Sequence, residues 1–99
     1  MKMLIVGSNG FIGCSLAAKL KNLGFQVIEM SSTDGSGIDP VTGLLPVDFS
    51  FPKGVSTVIY LAQSPLASKT IKGASHALSV NCVSAVRLAS MAVHSKVQR

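Results

Sequence analysis

The chain has 99 residues, 47% of them hydrophobic and only 13% charged, with a formal net charge of +5. That balance is too apolar for a disordered segment, and the length allows one small domain rather than separate cofactor and substrate domains. No uncharged apolar run reaches the roughly 18 residues of a membrane-spanning helix, so neither an integral membrane protein nor a membrane partner is expected.

Lys2–Val6 is a short aliphatic run that stops at Gly7, the pattern of a buried strand opening into a glycine turn. From Phe11 the spacing becomes helical: Ile12, Leu16, Leu20 and Leu23 form one stripe, Lys19, Lys21 and Asn22 face away, and Gly24 ends the helix. Phe25–Met30 is the second strand, which completes a βαβ unit. Ser31–Gly43 is rich in turn formers and reads as irregular loop.

Leu44–Asp48 is expected as a third strand and Thr57–Ala62, apolar throughout, as a central fourth. These elements predict an α/β, partial Rossmann (doubly wound) fold: a parallel sheet of about four strands in the order 3-2-1-4. The short link Phe49–Ser56 would then have to cross three strand spacings almost fully extended. From Ala74 to about Lys96 the chain is helical again, with one apolar stripe at Leu78, Cys82, Ala85, Ala89 and Ala92 and a second at Val83, Val86, Val93 and Val97. Two apolar faces imply two packing partners, the sheet and something else.

The informative stretch is Gly7-Ser8-Asn9-Gly10-Phe11-Ile12-Gly13, directly after a strand and opening a helix. Gly7 allows the sharp turn, Gly10 removes a Cβ that would block a pyrophosphate, and Gly13 lets the helix approach the sheet. The helix N-terminus then offers unpaired N–H groups and a positive dipole end to phosphates. Dinucleotide binding is the function this context favours over an ordinary tight turn.

Gly-x-x-Gly-x-x-Gly with Phe11-Ile12 resembles the fingerprint of the extended short-chain dehydrogenases/reductases, the nucleotide-sugar epimerase/dehydratase family. Val47-Asp48-Phe49 is similar to that family's acidic segment after the third strand, which contacts adenine. Val58-Ile59-Tyr60-Leu61-Ala62-Gln63 resembles its fourth-strand segment lining the nicotinamide side, and Asn81, in Ser79-Val80-Asn81-Cys82, matches an Asn at a helix start that supports the active site. The resemblance implies NAD or NADP as cofactor, held by Gly7, Asn9, Gly10, Phe11, Ile12 and Gly13 at the pyrophosphate. Ser31 and Ser32 would lie near the adenosine ribose, Asp48 and Phe49 near adenine, and Leu61, Ala62, Gln63 and Asn81 on the nicotinamide side. Members that prefer NAD carry a carboxylate where this chain has Ser31; its loss removes repulsion against a 2′-phosphate, but no Arg or Lys adjoins it.

The departures are equally informative. Tyr60 stands where the family has His, and Ser84-Ala85 where it has Gly-Thr. The family's reaction depends on a Tyr-x-x-x-Lys pair, in which the Lys lowers the phenol pKa for proton exchange. Tyr60 is the chain's one tyrosine and no such pair occurs, so no catalytic residue is assigned. The expectation is therefore an NAD(P)-binding portion spanning residues 1–99, truncated before the catalytic part of an oxidoreductase and not competent alone. A free-standing, non-catalytic nucleotide-binding module is the alternative, and a self-associating remnant a third.

The nine basic residues are scattered without a basic run, which argues against nucleic acid. Lys2 before Met3–Val6 and the later Gly13-Cys14 superficially resemble a lipoprotein signal, but the glycines break its apolar core. Cys14 and Cys82 lie far apart, so no metal site or disulfide is expected and a cytoplasmic location fits; Cys14 reads as a small packing residue, and His76 and His94 as surface histidines. An open fourth-strand edge and the uncovered valine face predict a homo-oligomer, a dimer or larger, through that edge or the last helix.

Overall fold

In the computed structural model the described residues are 2–8, 10–31, 37–62, 71–95 and 97, without the side chains of 71–74. Strand β1 (Lys2–Val6) runs through the glycine turn into helix α1 (Phe11–Asn22), then β2 (Gln26–Met30) and β3 (Val55–Tyr60). Helix α2 (Ile71–Leu78) continues through a π-helical segment (Ser79–Ser84) into α3 (Ala85–His94). Both β2 and β3 pair in parallel with β1, giving a three-stranded sheet of order β2-β1-β3. This α/β architecture is compatible with a partial Rossmann-like fold.

Strand alternation distributes the apolar residues to two faces. Leu4 lies between Ile28 and Val58, and Val6 between Met30 and Tyr60. These residues form one core with Ile38, Leu45, Val55, Val80 and Leu88. Ile5, fully buried, faces the other way, where α1 packs on β1 and β2.

The α1 stripe is rotated from the expected one. Gly13 and Ala17 are the buried positions, Leu16 and Leu20 are half-buried, and Ile12 and Leu23 are exposed. Small residues on the sheet side let the helix backbone come close, so the large side chains are displaced to its flanks. The helix ends as expected. Gly24, at φ +91°, donates its N–H to the Lys21 carbonyl at 3.0 Å and Phe25 donates to that of Leu20 at 3.1 Å, a Schellman arrangement.

Leu44–Asp48 is not a strand: 44–46 is irregular and 47–48 is a turn, so the described sheet has three strands and not four, and the order 3-2-1-4 is replaced. The carbonyls that a ladder would use are taken elsewhere. Leu44 accepts from the Asp39 N–H at 2.9 Å, and the Arg87 guanidinium donates to Leu45 at 3.3 Å and Val47 at 3.2 Å. Pro46 has no N–H to donate to a ladder. Leu45 instead anchors the segment by plugging the core.

The last helix also differs. It starts at Ile71 rather than Ala74, and its buried line is His76, Val80, Ser84 and Leu88, not Leu78 and Cys82, which are exposed. His76 is thus a buried residue and not a surface histidine, whereas His94 is exposed. Asp39 lies in the field of His76. The N–H groups of Thr42 and Val41 that its carboxylate accepts, followed by that field, hold its pKa below the usual carboxylate value. By length and composition, Ser75–His94 is also apolar enough to cross a membrane, with mean hydropathy 1.2, which removes the simple exclusion drawn from uncharged runs.

Candidate functional site

The carboxyl ends of all three strands converge on the glycine turn. The Met30 carbonyl, at the end of β2, accepts the N–H groups of Gly7 at 2.9 Å and Ser8 at 3.2 Å, and the buried Ser8 hydroxyl at 3.4 Å. The Leu61 N–H donates to Val6 at 2.8 Å and extends the β1–β3 ladder to the same point. The chain leaves β1 through α1 to one neighbour and returns to β3 on its other side, so the ends of β1 and β3 flank a topological switch point. Open α/β sheets bind ligands in the crevice outside such ends.

The three glycines of the motif are held for different reasons. Gly7 has φ +92°, and a Cβ on it would come 2.7 Å from the Ala62 nitrogen. A Cβ on Gly13 would lie 2.3 Å from the Gly7 carbonyl oxygen, so α1 can sit on the turn only without a side chain there. Gly10 differs: with φ −74° and ψ 171° its backbone suits any residue. A Cβ there would meet, among the described residues, only the Gly7 oxygen at 3.5 Å, an ordinary contact. Among the described residues, the fold consumes the space at Gly7 and Gly13 and leaves it free at Gly10.

Gly10 is also the N-cap of α1, which has no side-chain cap and no acidic residue in its first turn. The positive end of the helix therefore has no carboxylate of its own in that turn to neutralise it. Phe11, 94% exposed, and Ile12 flank this end and face outward. An uncapped helix N-terminus of this kind attracts anionic groups in general, phosphates among them.

The other candidate residues divide into two groups. Leu61 and Ala62 are half-buried against Gly7, and Ser31 is buried immediately after β2, its carbonyl accepting the Gly37 N–H at 3.0 Å. Leu61 and Ala62 thus meet the glycine turn, and Ser31 follows Met30, whose carbonyl the turn bonds. Asp48 is exposed, and Phe49 packs its ring edge-on to Phe51, with centroids 5.2 Å apart. Asn81 is exposed on the π-helical segment, and no hydrogen bond among the described residues ties it or Asp48 to the turn. Asn9, Ser32 and Gln63 lie outside the described residues.

Two contributors escaped the sequence reading. Ser8 pins the turn to β2, and the Met30 carbonyl is the acceptor on which the turn is built; a main-chain acceptor leaves no mark on residue type. Tyr60 reaches from β3 to donate its phenol proton to the Val80 carbonyl in the π-helical segment. Burial pushes its pKa up to about 12, so it acts at neutral pH as a fixed donor and not as a proton carrier. No family model, curated protein or solved structure matches this chain.

Proposed function

We propose that the chain is a dinucleotide-binding module for NAD or NADP, of the kind found at the N-terminus of extended short-chain dehydrogenases/reductases acting on nucleotide sugars. The observation that carries this reading is Gly10. It is the one glycine of the motif that neither backbone geometry nor packing among the described residues requires, and it stands at an uncapped helix N-terminus. A pyrophosphate approaching the α1 N–H groups supplies the missing reason. In this reading Gly7 and Gly13 shape the turn, Phe11 and Ile12 wall the phosphates, and Leu61 and Ala62 border the nicotinamide half. The cofactor would supply hydride chemistry; the chain's own residues bind and orient it. With no Tyr-x-x-x-Lys pair in the sequence, binding without proton transfer is its contribution.

Titrating the chain with NADH and NADPH, followed by fluorescence and calorimetry, tests this directly. Gly10→Val places a branched side chain in the open space. It should cost the helix cap only about 1 kcal/mol, leave the circular dichroism spectrum unchanged and weaken dinucleotide affinity by at least about tenfold. Unchanged affinity in the variant, or no binding of either cofactor by the parent chain, refutes the reading.

A further inference from the structure

We draw no further inference here: the strongest candidate, the apolar outer face of the last helix at Val83, Val86 and Val93 with the open groove beside Cys82 and Met91, is an unpartnered surface, and nothing in the structure shows what covers it.

Discussion

A methyl group at Gly13 would sit 2.3 Å from the Gly7 carbonyl oxygen, with both partners main-chain atoms that cannot rotate aside. Gly13→Ala must therefore push α1 off the turn. We expect a loss of about 3 kcal/mol or more, read as a fall in Tm on the order of 10–20 °C, while a Gly10→Ala control loses far less. Tyr60 gives a second residue-scale expectation. An unfolded tyrosine ionises near pH 10, whereas the folded phenol is held neutral until about 12. The stability tied to the neutral phenol is fully present below about pH 10 and is lost as pH rises towards 12, because there the unfolded chain has released a proton that the folded chain keeps. Tyr60→Phe removes the bond to the Val80 carbonyl, lowers stability at neutral pH by about 1 kcal/mol and flattens that alkaline decline, which denaturant titrations of both proteins at successive pH values will show.

At the scale of elements, the buried line His76, Val80, Ser84 and Leu88 advances by four residues each time. On a regular α-helix a four-residue step overshoots the turn by about 40°, so three steps would carry the line about 120° around the helix. The π-helical segment Ser79–Ser84 absorbs this drift, since its i→i+5 bonding underwinds the backbone where the line would otherwise leave the sheet. Ser84 sits at its end and donates its hydroxyl to the Gly43 carbonyl at 2.6 Å, fastening the 37–48 loop to the helix. Ser84→Ala leaves that carbonyl without its hydroxyl donor and should cost about 1–3 kcal/mol, with faster hydrogen exchange confined to the loop. This also explains what the sequence left hidden. The βαβ unit was legible because a glycine turn and a change of period are local signals. The four-residue line was not, because two of its members, His76 and Ser84, are polar and fall outside any hydrophobic stripe. Nor was Leu44–Asp48, whose carbonyls are claimed by an arginine about forty residues further on. The α1 stripe was misread because the burial falls on Gly13 and Ala17, residues that periodicity weighs least.

For the whole molecule, ligand binding at the glycine turn should read out as global stability. The glycine turn proposed to hold the cofactor is built from the ends of β1, β2 and β3 and the start of α1. A ligand that binds only the folded state adds about 2.7 kcal/mol at a concentration of one hundred Kd. For a domain of this size that corresponds to a rise in Tm on the order of 10 °C. NADH or NADPH should therefore raise the Tm of the parent chain but leave that of Gly10→Val nearly unmoved. Calorimetric scans of the two proteins at matched cofactor concentration read this directly. An equal shift in Gly10→Val would mean that the dinucleotide binds away from the glycine turn, and so that Gly10 has another reason.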